Sequence, residues 1–135
     1  MIRKLRIAHC SDIHLDGDAH DHSSAGGGDS QIRGAFSRAL KEMRAHNPDM
    51  MLLAGDLFDS NSAATDTITW AMSILEEQPF PIVMIPGNHD CMTEDAIYRR
   101  HDFNQISNVT NLTAELGEVA YIDSLSTAVW GRGMI

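Results

Sequence analysis

Three short stretches crowd together side chains able to hold metal ions and move protons: Ser11-Asp12-Ile13-His14, Gly55-Asp56-Leu57-Phe58-Asp59 and Gly87-Asn88-His89-Asp90. Four carboxylates, two imidazoles and one amide would repel or compete if they met without a counterion. Divalent cations remove that conflict, and mixed oxygen and imidazole donors suit Mn, Fe or Zn better than Ca. Asp12 and His14 are two residues apart, so on extended backbone they project to one side and can grip one ion. Gly55 permits a sharp turn that presents Asp56 where a single carboxylate could bridge two ions. Asp59, three residues on, returns to the same side in a turn. Asn88 offers a carbonyl oxygen, and its neighbour His89 points elsewhere, leaving an imidazole near the ions that need not be bound to them.

These stretches come together only if the elements before them deliver them to one place. Leu5–Cys10, Met50–Ala54 and Ile82–Ile85 are short apolar runs, and each ends in one of the three polar clusters. Ser30 reads as the cap of a helix from Gln31 to about His46, with Ile32, Phe36, Ala39, Leu40 and Met43 at three- and four-residue spacing. Asn47-Pro48 stops it. A second helix from about Ala64 to Glu77 turns Ile68, Ala71, Met72 and Leu75 inward, and Pro79-Phe80-Pro81 breaks it. Strands alternating with amphipathic helices predict βαβ units and a parallel sheet. The carboxyl ends of neighbouring parallel strands share one edge, where ligands of such sheets bind. Beyond Asp90 the pattern predicts a helix over Asp95 to about Phe103. Short strands are expected at Val109–Leu112 and Val119–Ile122, and another begins at Thr127–Trp130. Asp16 to Ser30 is polar and Gly-rich and reads as a mobile loop, solvated rather than metal-binding despite Asp16, Asp18, His20, Asp21 and His22. Arg99, Arg100 and His101 read as a wet basic turn.

The 135 residues are expected to form one domain large enough for its own core, with 43% hydrophobic and 21% charged residues. A net charge of −9, from 19 acidic and 10 basic residues, argues against a stand-alone nucleic-acid binder. It is less of an obstacle to a metalloenzyme, whose bound cations dominate the local field. Cys10 and Cys91 lie in no zinc or redox pattern and read as reduced thiols of a cytoplasmic protein. There is no secretory leader and no apolar stretch of membrane-spanning length, so no membrane role is expected.

Each motif alone is ordinary turn chemistry, because Asn, Asp and Gly are what turns prefer. Three in order at three strand ends are not. DxH (Asp12, His14), GDxxD (Gly55, Asp56, Asp59) and GNHD (Gly87–Asp90) together resemble the calcineurin-like metallophosphoesterase family over residues 6–90. The resemblance implies a metallophosphoesterase-type α/β sandwich. Residues 1–135 would be its N-terminal βαβαβ part with parallel strands, the C-terminal half missing. It implies that Asp12 and His14 bind one metal, that Asp56 bridges and that Asn88 binds the second. His89 would be the proton donor and Asp59 would orient it. Two divalent ions, Mn²⁺ foremost with Fe or Zn as alternatives, would acidify a bridging hydroxide for in-line attack on phosphorus.

Within the family, DIHLD, Arg33, Ala35, Phe36 and GDLFD are similar to the SbcD-type DNA repair exonucleases. That likeness implies a DNA substrate and an ATPase partner subunit. Two alternatives stand beside it: a phosphodiesterase or phosphatase acting on nucleotides, cyclic nucleotides or phosphoproteins, which the acidic balance suits better, and a metal-free scaffold. The family pattern continues past GNHD with an isolated His and a GHxH segment. Here only His101 follows His89, so both metal shells are expected to be incomplete and the chain alone inactive.

Overall fold

The computed structural model describes residues 3–17 and 28–135. Four parallel strands, β1 (Ile7–Cys10), β2 (Met50–Ala54), β3 (Ile82–Ile85) and β4 (Val109–Asn111), form one sheet in the order β1-β2-β3-β4. Helix α1 (Gly28–Ala45) joins the first pair and α2 (Thr65–Glu76) the second. Register is close: Ile7 faces Met50, Met51 faces Ile82, and Ile82 faces Val109.

Successive crossovers of one hand in this order place both helices on one face of the sheet. The core agrees. Met51, Leu53, Ile82 and Met84 pack with Phe36 and Leu40 of α1 and with Ile68, Ala71 and Leu75 of α2. The alternate residues Met50 and Val83 point to the other face, against Leu112 and Ala120. Period-two alternation with both faces covered explains why MMLLA and IVMI are apolar throughout. The second face is covered by an antiparallel hairpin of β5 (Glu118–Ile122) and β6 (Thr127–Gly131), in which Val119 opposes Trp130. Its inner residue Ala120 is 4% exposed, while Tyr121 and Trp130 on the outer side are 76% and 64% exposed. Strand β1 is one edge of the sheet, and Ile7 is half exposed there.

The α/β class and parallel sheet are as the sequence predicts, with β4 extending the sheet by one strand. Two elements, α1 at its start and the helix after β3, differ locally from this expectation. Helix α1 begins at Gly28 instead of Gln31, so Ser30 lies within its first turn. It ends where Asn47 takes φ of 50°, a left-handed conformation that Asn tolerates better than most residues, ahead of Pro48. The helix expected over Asp95 to Phe103 is a single turn, α3 (Ile97–Arg100), followed by a separate 3₁₀ turn at Phe103–Gln105. His101 at the end of α3 has extended dihedrals, and Asp102 caps the 3₁₀ turn by accepting from the Asn104 amide. Of the Asp16–Ser30 loop, residues 18–27 lie outside the described residues, Asp18, His20, Asp21 and His22 among them. No described helix is long and apolar enough to cross a membrane.

Candidate metal centre

The loops leaving β1 and β2 do not diverge at the sheet edge. They continue side by side, with main-chain hydrogen bonds from Asp12 N to Gly55 O (3.1 Å), His14 N to Asp56 O (3.0 Å) and Leu15 N to Leu57 O (2.9 Å). A return bond from Asp59 N to Leu15 O (3.0 Å) and the Leu15–Phe58 bridge complete the tie. The parallel ladder thus runs past the strands, and Leu15, Leu57 and Phe58 anchor it as fully buried side chains. The polar residues between them are left at the rim. On the other side, Gly55 has φ of 89°, and a Cβ there would lie 2.9 Å from Gly87 Cα, so the loops after β2 and β3 nearly touch. Only glycine fits such an approach.

Three candidate ligand residues adopt left-handed backbone: Asp12 (φ 58°), His14 (φ 55°) and Asp56 (φ 55°). Their donors converge. His14 Nε2 lies 3.7 Å from Asp12 Oδ1 and 3.8 Å from Asp56 Oδ2. Two donors held by one ion at about 2.1 Å stand roughly 3.0–3.6 Å apart, so a slight contraction would close this set on a divalent cation. The donor atoms of Asp12, His14 and Asp56 all lie within 4.8 Å of one another, and so do those of His14, Asp59 and His89. The residues present therefore fit a metal. His101 belongs to neither group among the described residues.

Asp59 serves both histidines, by different atoms. Its carboxylate Oδ1 is 2.8 Å from His14 Nδ1, whereas its main-chain carbonyl is 2.7 Å from His89 Nδ1. The Asp59 carboxylate stands 3.8 Å from His89, too far for a hydrogen bond. A carbonyl can only accept, so His89 carries a proton on Nδ1 and its Nε2 is the nitrogen left for the site. In His14 the same logic leaves the Nε2 lone pair facing Asp12 and Asp56, the carboxylate–histidine–metal arrangement of many metal sites. The two rings meet edge-on, with centroids 4.6 Å apart.

Charge follows from these contacts. The hydrogen bond to Asp59 holds the His14 imidazole above its ordinary pKa, with Asp56 and Asp12 adding to the effect. A 2.6 Å bond from the Ser11 hydroxyl lowers that of Asp12. Asp56 is 6% exposed and accepts at Oδ1 from the His89 amide (2.9 Å). Asn88 is exposed beside it on the same turn. Asp12, His14, Asp56, Asp59 and His89 are thus brought together, with Asn88 adjacent in the β3 loop.

Several residues escaped sequence reasoning because their partners are distant. Asp16 accepts from Ala64 N (2.9 Å) and the Thr67 hydroxyl (3.3 Å), capping α2 from 48 residues away. Ala64, at the cap position, has no side chain to do so. Arg99 and Arg100 are not simply solvated. Arg99 donates to the main-chain carbonyl of Thr93 (2.9 Å) in the segment after β3, and Arg100 to that of Asn61 (2.6 Å) in the loop between β2 and α2. Arg33, next to Asp66 and Thr67, lies 5.3 Å from the Trp70 ring and joins α1 to α2. Burial drives the Cys10 thiol up to about 11, which fits an inert core thiol.

A model of the calcineurin-like phosphoesterase family matches residues 5–132. The chain is 33% identical over 98 residues to a probable cyclic nucleotide phosphodiesterase of Moraxella catarrhalis, covering 72% of this chain and 31% of that protein. It is 30% identical over 89 residues to the DNA double-strand break repair protein Mre11 of Methanopyrus kandleri, covering 64% and 19%. It is 33% identical over 90 residues to the SbcD component of the nuclease SbcCD of Staphylococcus saprophyticus, covering 64% and 23%. The chain spans about a fifth to a third of the length of these curated relatives.

Proposed function

The chain belongs to the calcineurin-like phosphoesterase family, and from that premise we propose that residues 1–135 are the metal-gripping N-terminal portion of a phosphodiesterase that cleaves DNA as an SbcD-type nuclease. The carrying observation is the convergence of Asp12, His14 and Asp56 donors beside His89 at the ends of parallel strands. In this reading Asp12 and His14 hold one ion, Asp56 is shared, and Asn88 holds the second. Two divalent ions, Mn²⁺ first among candidates, would supply there the positive charge that neutralises phosphate oxygens and acidifies water. The chain's own residues do the rest. Ser11 keeps Asp12 anionic, and Asp59 fixes the His14 tautomer so that Nε2 offers its lone pair. His89, hydrogen-bonded through Nδ1, has Nε2 free to carry the proton that the departing oxygen needs. Asp59 orients it through its main-chain carbonyl.

The nuclease reading draws support from the GDLFD run and from the likeness to the SbcD component of the nuclease SbcCD. An ATPase partner in the cytoplasm would bring the basic surface that a chain of net charge −9 does not. A second reading, a cyclic nucleotide phosphodiesterase, is favoured by that same charge and by the likeness to the Moraxella catarrhalis protein. The test is hydrolysis of single-stranded DNA, bis-p-nitrophenyl phosphate and cyclic nucleotides by the complete Mn²⁺-loaded protein, residues 1–135 together with the family's remaining metal-binding half, measured side by side. DNA turnover is expected. Turnover of cyclic nucleotides with none of DNA would sink the nuclease reading. Neither Mn²⁺ binding nor hydrolysis of any diester would sink both and leave a scaffold.

A further inference from the structure

We propose that Asp90 is a positioning residue whose buried carboxylate clamps the two metal-bearing loops together and holds Asp56 in its ligand pose. The inference rests on the reading of Asp56 as a metal ligand.

Asp90 is 0% exposed. Its Oδ1 accepts from Gly87 N (2.7 Å) and Asp56 N (3.2 Å). Its Oδ2 accepts from Phe58 N (3.2 Å) and the Tyr98 hydroxyl (2.7 Å). A carboxylate has about four acceptor sites, so this one is fully used, and every partner is a donor. A buried charge persists only with such satisfaction. Burial, reinforced by this charge, makes the Tyr98 hydroxyl hold its proton well beyond the ordinary tyrosine range.

The loops exchange these bonds reciprocally. The β2 loop gives the amides of Asp56 and Phe58 to Asp90, and the β3 loop gives the amide of His89 to Asp56 Oδ1. Asp56 needs such a hold, because φ of 55° is disfavoured for a residue with a Cβ. The bond to its own N–H falls at the strained unit. With Oδ1 engaged by His89, Oδ2 is the oxygen left 3.8 Å from His14 Nε2. Asp90 itself is in neither metal-donor group, so it acts through Asp56 and touches no reacting atom.

A purely stabilising core carboxylate would share the same burial, and Tyr98 separates the two roles. Tyr98 bonds the same carboxylate but belongs to the aromatic cluster with Phe58 and Phe103, whose ring centroids lie 6.2 and 5.2 Å away. Tyr98→Phe removes one donor and releases neither loop. Asp90→Asn keeps the shape but turns an amide NH₂ either toward the Gly87 and Asp56 amides or toward the Phe58 amide and the Tyr98 hydroxyl, so at least one loop bond is lost.

The experiment measures Mn²⁺ affinity by calorimetry and the electron paramagnetic resonance spectrum of bound Mn²⁺ at saturation. It compares the unmodified protein with Asp90→Asn, Tyr98→Phe and Asp56→Asn. Asp90→Asn is expected to weaken Mn²⁺ binding about 10- to 100-fold and to alter the zero-field splitting. Tyr98→Phe should lower the melting temperature and leave both metal readouts unchanged. Unaltered affinity and spectrum in Asp90→Asn, while Asp56→Asn loses the ion, would overturn this inference alone. Equal losses in Asp90→Asn and Tyr98→Phe would also overturn it, as the mark of general destabilisation. Unchanged binding in Asp56→Asn would overturn the metal-site reading beneath it. Should Asp90→Asn fail to fold, hydrogen exchange of the unmodified, metal-free protein decides. The Asp56, Phe58 and Gly87 amides should be protected like those of β2, and open-loop exchange rates would refute the clamp.

Discussion

Replacing Gly87 by alanine adds a single methyl group where the β2 and β3 loops meet. The new Cβ would lie 2.6 Å from Asp56 Cγ, and closer still to its Oδ1 and main-chain N. Ordinary contact begins at 3.4 Å, so Cγ alone would have to give about 0.8 Å, and Oδ1 and the amide N more than that. A flexible side-chain tip could yield that cheaply, but the Asp56 amide cannot move without its strand-end backbone. Overpacking of this kind costs about 1–3 kcal/mol, which lowers the melting temperature by roughly 3–10 °C in a domain of this size. The larger effect falls on the ion. Functional groups must be held to within about 0.5 Å, and the displaced residue is one of three converging donors. We expect Mn²⁺ affinity to fall about 100-fold or more by calorimetry. Gly34→Ala is the control, since a Cβ there meets only the Arg38 Nη1 tip, at 3.3 Å, on helix α1. It should stabilise by about 0.5–1 kcal/mol and leave metal binding alone. Wild-type Mn²⁺ affinity in Gly87→Ala would refute the argument that this contact sets the Asp56 position.

In the complete protein, Asp56→Asn should remove metal loading and turnover together; two tightly held ions in the variant, counted by elemental analysis, would exclude a shared carboxylate. His89→Gln should keep metal content and lower the rate about 10²–10⁴-fold. That loss should shrink for substrates releasing p-nitrophenolate, and equal losses for good and poor leaving groups would assign His89 another task. The raised His14 pKa has a sign that can be checked. A metal must displace the His14 proton, so Mn²⁺ affinity should fall as pH drops through a value above the ordinary histidine 6.5, and Asp59→Asn should move that midpoint down. In the metal-free protein the His14–Asp59 pair contributes stability that is complete below the unfolded pKa. It is lost as pH rises through the folded one, which denaturant melts across pH 5–9 would reveal.

The parallel strands and α1 and α2 were legible because their evidence is local: apolar runs, three- and four-residue spacing, and Pro-containing breaks. The three clusters were legible as a unit because a parallel sheet puts strand ends on one edge. What lay beyond reach depended on pairs far apart in the chain. Asp16 reads as a loop acid until Ala64 stands above it, and Asp90 reads as the end of a turn until Asp56, Phe58 and Tyr98 surround it. The hairpin strands could be placed singly, yet their pairing turns on Ser126, a left-handed residue with no glycine to announce it. The main-chain origin of the His89 contact was likewise invisible, since spacing speaks only of side chains.

The left-handed backbone at Asp12, His14 and Asp56 sets the candidate metal donors against the chain's own stability. Each costs about 1 kcal/mol that glycine would relieve, less what glycine loses in chain entropy. Variants picked only for a higher melting temperature in the absence of metal should therefore drift toward glycine at positions 12, 14 and 56, and so toward chains that have shed their donors. Only a screen that keeps the cation present during selection would retain them, because there the bound ion outweighs the relief.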